Sequence, residues 1–206
     1  IAAAPPGPSI IPFSTMLKGD ISFSVSGVFG LHIVAMILAP GIVLLFLGKS
    51  LIDPMEIFMI LVKLIVIPLI ISRFLRHPKV LPSTDKVRSY VVKWGFFIVI
   101  TPIVGMSRDV IFNNPNILLL TSLVFIIAMF VLAFVYGKVL KSLQVKTSGI
   151  ISSTLMMVIK SSAFSAVVAM TFFEDEVVAM PSAVLSVFVT LFIIFYYVYP
   201  QGLRTN

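Results

Sequence analysis

TSGIISSTLMMVIKSSAFSAVVAMTFF, residues 147–173, decides the fold. Its 27 residues exceed the roughly 20 that a helix needs to cross the hydrocarbon core of a bilayer. Lys160 is the one charge within it, with thirteen residues separating it from Lys146 on one side and from Glu174 on the other. A charge at that depth is costly and by default marks a functional position. No Asp or Glu lies deep inside any apolar stretch of the chain, so the ammonium has no evident ionic partner. The same stretch carries Ser152, Ser153, Thr154, Ser161, Ser162 and Ser165 among otherwise apolar residues.

The rest of the sequence repeats the membrane pattern. Of 206 residues, 59% are hydrophobic and 11% charged, and the mean hydropathy is +1.15. A soluble domain is interrupted by charge far more often, so the chain reads as an all-α, polytopic membrane protein. Length and punctuation place a half-span at 4–17 and six full spans at 21–47, 55–76, 89–107, 116–137, 147–172 and 180–199. Helices are expected throughout, because a helix satisfies its own backbone in lipid. Between the spans stand Lys18-Gly19-Asp20, Gly48-Lys49-Ser50, His77-Pro78-Lys79, Asn113-Asn114-Pro115 and the acidic run Glu174-Asp175-Glu176. The absence of cysteine excludes disulfide and thiol chemistry, and nothing suggests a cofactor.

The net charge of +7 is a matter of topology and does not call for nucleic acid. Alternate connections place Lys18, Arg73, Arg76, Lys79, Lys86, Arg88, Lys93, Lys138, Lys141, Lys146 and Arg204 on one side, against Asp20 and Asp85. The other side holds Lys49 and Arg108 against Asp53, Glu56, Asp109, Glu174, Asp175 and Glu176. The basic side is then cytoplasmic, which puts the C-terminus in the cytoplasm and suits a plasma membrane. Trp94, Tyr196, Tyr197 and Tyr199 fit interfacial aromatic belts.

With this parity the first segment runs inward to Lys18, yet fourteen helical residues span only about 21 Å. Ile1 would begin within the membrane, so a preceding half-helix and further spans are expected upstream. Pro5-Pro6-Gly7-Pro8 points the same way, since proline removes donors and glycine relaxes the backbone. A broken helix at membrane depth survives only where it is buried in protein or lines a water-filled cavity, and secondary transporters bind substrates at such breaks. They place a second break in the inverted half. The span at 147–172 runs outward, opposite to the first segment, and each is followed by another long span.

Ala4-Pro5-Pro6-Gly7, Leu17-Lys18-Gly19-Asp20-Ile21-Ser22-Phe23-Ser24-Val25, Ile37-Leu38-Ala39-Pro40, Val66-Ile67-Pro68-Leu69-Ile70 and Met180-Pro181-Ser182-Ala183-Val184-Leu185-Ser186 follow one another along the chain. In their order and spacing the chain resembles the bile acid:sodium symporter family, within a superfamily that includes arsenite and auxin carriers. The resemblance implies the C-terminal part of a ten-helix inverted-repeat transporter in which helices four and nine are broken and cross. Residues 1–50 would then be core-domain helices (half of four, and five), 51–110 panel-domain helices six and seven, and 111–206 core-domain helices eight to ten. The first three helices would lie upstream.

The family's sodium chemistry does not carry over. Its ligand positions fall on Ile10, Ile11, Ser24, Val28 and Met156 or Met157, and the family's glutamine falls on Lys160 or Ser161. Sodium wants oxygen ligands, so no metal site is expected. Lys160 is then a tethered cation in place of a bound one, either titrating, with protons as the coupling ion, or holding an anionic substrate. The expected pathway residues are Pro6, Gly7, Ser9, Ser14, Ser24, His32, Lys160, Ser161, Ser162 and Ser165. For His32 a bond to a neighbouring carbonyl competes with proton relay, and for Ser22 and Ser26 helix packing competes with cavity lining. Lys63, nearer the external end, is expected to snorkel.

The leading function is a secondary transporter of a small organic anion, working by alternating access in a lipid bilayer. A non-transporting subunit or scaffold of a larger complex is the second reading. A membrane enzyme comes last: the chain has no HExxH, no P-loop, no clustered metal ligands and no intramembrane carboxylate pair, leaving only a Ser–Lys dyad around Lys160. The missing thiol disfavours arsenite carriage.

Overall fold

The computed structural model describes residues 4–47, 54–75, 77, 108–173 and 176–198, with isolated positions between 82 and 105. The described residues are helical apart from short connections and one pairing of extended segments. In chain order the helices are α1 (Ile10–Met16), α2 (Ile21–Leu47), α3 (Pro54–Leu75), α4 (Arg108–Asn113), α5 (Pro115–Phe125), α6 (Leu132–Ser142), α7 (Thr147–Val158), α8 (Ser162–Phe172) and α9 (Met180–Val198). A π-helical turn, Ile126–Val131, joins α5 to α6, and a 3₁₀ turn, Glu176–Ala179, leads into α9.

Four of these runs are long and apolar enough to cross a membrane: Ile21–Ile42, Phe58–Leu75, Pro115–Ser142 and Val177–Val198. The protein is an integral membrane protein. The expected spans at 21–47, 55–76, 116–137 and 180–199 match continuous helix within a few residues, while most of 89–107 lies outside the described residues. The span at 147–172, where the resemblance implies a broken helix, is two half-helices divided at residues 159–161. The half-span at 4–17 needs correction: it is helical only over the seven residues of α1. Pro5, Pro6 and Pro8 lack the N–H groups that a helix through residues 4–9 would need.

Two α-helical ends share one cap. At α1, Lys18 N–H donates to Thr15 O (3.3 Å) and Gly19 N–H to Ser14 O (2.7 Å); at α6, Gln144 N–H donates to Lys141 O (3.0 Å) and Val145 N–H to Leu140 O (3.1 Å). These are Schellman motifs. The residue in the left-handed region is not glycine in either, but Lys18 (φ 62°) and Gln144 (φ 59°).

Lipid offers no hydrophobic force to drive helices together, so close packing and small residues must hold the bundle. Gly27 of α2 lies against the Met156 thioether of α7, where a Cβ would collide with Sδ. Ser182, Ala183 and Ser186 are buried on α9, the most enclosed of the long helices. The main core joins α1, the α5–π–α6 run, α7 and α9 through residues such as Ile10, Met129, Leu155, Met180 and Phe192. Phe130 on the π turn packs edge-on against Phe192 and Phe195, each at 5.5 Å between centroids. A smaller cluster of Ala4, Ala39, Leu61 and Phe164 ties α2 and α3 to α8. Phe23, Phe29, Ile37, Ile70 and Phe74 stay exposed, as lipid-facing side chains do.

Candidate functional site

The polyproline stretch leaves residues 5–7 without helical bonding, and it meets the second break in the chain. Gly7 N–H donates to Ile159 O at 3.1 Å, and Ser161 N–H donates to Pro5 O at 2.9 Å. Pro6 and Lys160 therefore form an antiparallel bridge of the non-hydrogen-bonded kind. In that geometry each residue's own backbone polar groups point away from its partner. Proline suits the place because it has no N–H to leave unpaired. The Pro6 carbonyl and the Lys160 N–H and carbonyl make no backbone bond among the described residues.

The break on the other side of the bridge follows from local chemistry. Ile159 closes α7 with N–H to Leu155 O at 2.8 Å and turns extended (ψ 103°). Ser161, also extended (ψ 98°), starts α8 as its N-cap by accepting Phe164 N–H on Oγ at 3.2 Å. Lys160 thus sits between the C-terminus of one helix and the N-terminus of the next. No carboxylate among the described residues pairs with Lys160, which adjoins the negative end of α7 and the positive end of α8. The first N–H groups of α8, at Ser162 and Ala163, have no backbone partner among the described residues. At α1, by contrast, Ile10, Ile11 and Phe13 already donate to Gly7, Pro8 and Ser9, so that helix start offers little to a ligand.

Six expected residues gather at this crossing. Pro6, Gly7 and Ser9 come from the first segment, and half-buried Lys160, Ser161 and Ser162 from the second. A Cβ on Gly7 would lie 3.1 Å from Ser9 Oγ, a tight fit to a rotatable hydroxyl, and in ordinary contact with the Lys160 carbonyl at 3.6 Å. Ser165 is one turn further, buried, with Oγ donating to Ser161 O at 3.1 Å. His32 lies on α2, half-buried, one turn beyond Val28. Its Nδ1 is 2.7 Å from Val28 O, which can only accept, so Nδ1 is the donor.

Ser14 and Ser24 do not join the crossing. They meet Ser152 at the basic end, with Ser14 Oγ 2.8 Å from both Ser24 Oγ and Ser152 Oγ. Ser24 and Ser152 also reach the Asp20 carbonyl, at 2.8 and 3.0 Å. All three serines are fully buried, and Ser152 precedes Lys160 by eight residues, about 12 Å along a helix. Their role is to bind α1, α2 and α7 together, with Gly19 fitting against the Ser14 and Ser152 hydroxyls. Ile10 and Val28 are buried in the apolar core and Met157 packs against it, while Ile11 is half-buried. Lys63 is exposed.

One pair was not legible in the sequence. Thr154 Oγ1 of α7 and Tyr196 Oη of α9 are buried and approach each other without the geometry of a hydrogen bond, and neither has another partner among the described residues. Tyr196 was expected at an interface; its hydroxyl is instead inside the bundle, while Tyr197 is exposed. Nothing in the spacing of residues 154 and 196 signals this.

No known family model matches the chain, and no curated protein is similar to it.

Proposed function

We propose that this protein is a secondary transporter of a small organic anion, working by alternating access around the crossing of its two broken segments. The observation that carries the reading is the Pro6–Lys160 bridge: irregular backbone, a lone cation and free N–H groups meet between short apolar helices. Irregular backbone within a membrane protein is buried in protein or lines a water-filled cavity, and on this reading it lines one. Lys160 Nζ and the Ser162 and Ala163 N–H groups supply positive potential for a carboxylate, and Ser9 and Ser162 add hydroxyls. Lys160 takes the place of a bound cation, so transport proceeds without sodium coupling, and protons are the candidate coupling ion, with His32 as a relay.

The resemblance to bile acid:sodium symporters fits this reading. Each extended segment is followed by a short helix and then a long one, α1–α2 and α8–α9, and the two extended segments run antiparallel where they meet, which supports an inverted arrangement. We take these as the two inverted halves, with residues 1–50 and 111–206 in a core domain and 51–110 in a panel domain. The plasma membrane with a cytoplasmic basic end is the assigned location. A scaffold role is the competing reading.

The test is uptake by full-length protein in proteoliposomes, across a panel of radiolabelled small carboxylates, with and without sodium and with an imposed pH gradient. Saturable uptake of at least one anion that is indifferent to sodium and lost in Lys160→Met is the expected result. Uptake in Lys160→Met at the wild-type rate and pH dependence would remove Lys160 from the mechanism.

A further inference from the structure

The basic end of the bundle collects cations from four separate parts of the chain. The Asp20 N–H donates to Ser148 O at 3.1 Å, which fixes the 17–20 turn against the first turn of α7. Lys18 stands two residues before one end of that bond and Lys146 two residues before the other. Lys138 and Lys141 lie in the last two turns of α6, joined to Lys146 by the Schellman turn, and Arg73 ends α3 on the same side. All five side chains are exposed. Asp20 is the sole acid here among the described residues, and its Oδ1 accepts Phe23 N–H at 2.9 Å.

Two details distinguish this end from a scatter of snorkelling lysines. Lys18 occupies a left-handed position (φ 62°), where a β-carbon costs energy and glycine is the usual occupant. The N-cap of α7 is Lys146, which makes no side-chain cap, and the N–H groups of Thr147 and Gly149 have no partner among the described residues. Cations therefore surround the uncapped positive end of a twelve-residue helix. Lys138 Nζ lies 4.3 Å from the centroid of the exposed Phe134 ring, an arrangement suited to the boundary between acyl chains and headgroups.

We infer that this basic end is a binding surface for the phosphodiester headgroup of an anionic phospholipid, centred between Lys18 and Lys146. A headgroup, rather than a free anion, fits because the cations ring an end of helices whose flanks are lipid-facing. The lipid's acyl chains would then lie along the exposed faces of α2 and α6. This surface is separate from the Lys160 crossing, and its test is independent of transport.

The experiment titrates full-length protein in a neutral detergent with phosphatidylglycerol, phosphatidylcholine or inorganic phosphate, following thermal unfolding and native mass spectra. Saturable stabilisation and retained adducts with phosphatidylglycerol alone are expected, weakening as salt rises. The Lys18→Gln/Lys146→Gln variant should bind phosphatidylglycerol about 30-fold more weakly, at roughly fivefold per cation. Arg108→Gln, at the opposite end, should change nothing. Equal binding of phosphatidylcholine, equal stabilisation by inorganic phosphate, or full retention of phosphatidylglycerol by the double variant would each overturn the assignment. Should the double variant misfold, charge-reversing Lys138→Glu alone must still lower the apparent affinity.

Discussion

Pro6 and Lys160 face each other as an antiparallel pair that shares no hydrogen bond, held by flanking bonds from Gly7 to Ile159 and from Ser161 to Pro5. The pairing explains how two breaks coexist inside a membrane protein: each supplies the partner that the other lost on leaving the helix. Lys160 follows the C-terminus of α7 and is half-buried.

Lys160→Met should separate stability from transport. No carboxylate among the described residues depends on Lys160, so the substitution strands no buried countercharge, and methionine spans a similar length. Thermal unfolding in detergent is expected within about 1 kcal/mol of the parent, while anion uptake falls to background. A large loss of stability would identify the lysine as structural.

Gly19→Ala should destabilise the protein by about 1–3 kcal/mol, the usual cost of overpacking. Its new methyl would collide with the Ser14 and Ser152 hydroxyls, which are fully buried and hydrogen-bonded to each other. Denaturation of the Gly19→Ala/Ser152→Gly pair should recover part of the loss, because one of the two obstacles is gone.

Gly27→Ala meets a softer obstacle, the Met156 thioether, which has rotamers to spare. A smaller loss is expected, about 1 kcal/mol, and in a double-mutant cycle Met156→Ala should be coupled to it. Strict additivity would show that α2 and α7 do not touch there.

The two left-handed cap residues make opposite predictions for function. Gln144→Gly should stabilise the protein by about 1 kcal/mol, by removing the cost of a β-carbon at φ 59°. Lys18→Gly should stabilise it similarly and yet weaken binding of anionic lipid, since the same change removes a cation. Thermal unfolding with and without phosphatidylglycerol reads both.

Local properties were legible in the sequence, and pairings between distant segments were not. The helix at 21–47 follows from its run of apolar residues, and the first break from Pro5-Pro6-Gly7-Pro8, whose missing donors forbid a helix. The broken form of 147–172 came from the family resemblance and from the lone lysine with its serines; no proline marks it. That residues 5–7 and 159–161 pair with each other is a long-range bond pattern that no local signal encodes. Ser14 and Ser24 show the converse limit. Polar residues in an apolar run read as cavity lining, yet three such serines can satisfy one another, as they do with Ser152. The orphan hydroxyls of Thr154 and Tyr196 follow from the packing of α7 on α9 alone.

The most direct test of the crossing as a transport site is two-sided labelling. These 206 residues hold no cysteine, so Ser162→Cys places a reporter at the crossing, read against the unsubstituted protein, with Ser152→Cys as a control in the fully buried serine cluster. In sealed vesicles of both orientations, a membrane-impermeant maleimide should label position 162 from either face and leave position 152 unmodified. Labelling of position 162 from one face only, or from neither, would contradict alternating access at Lys160.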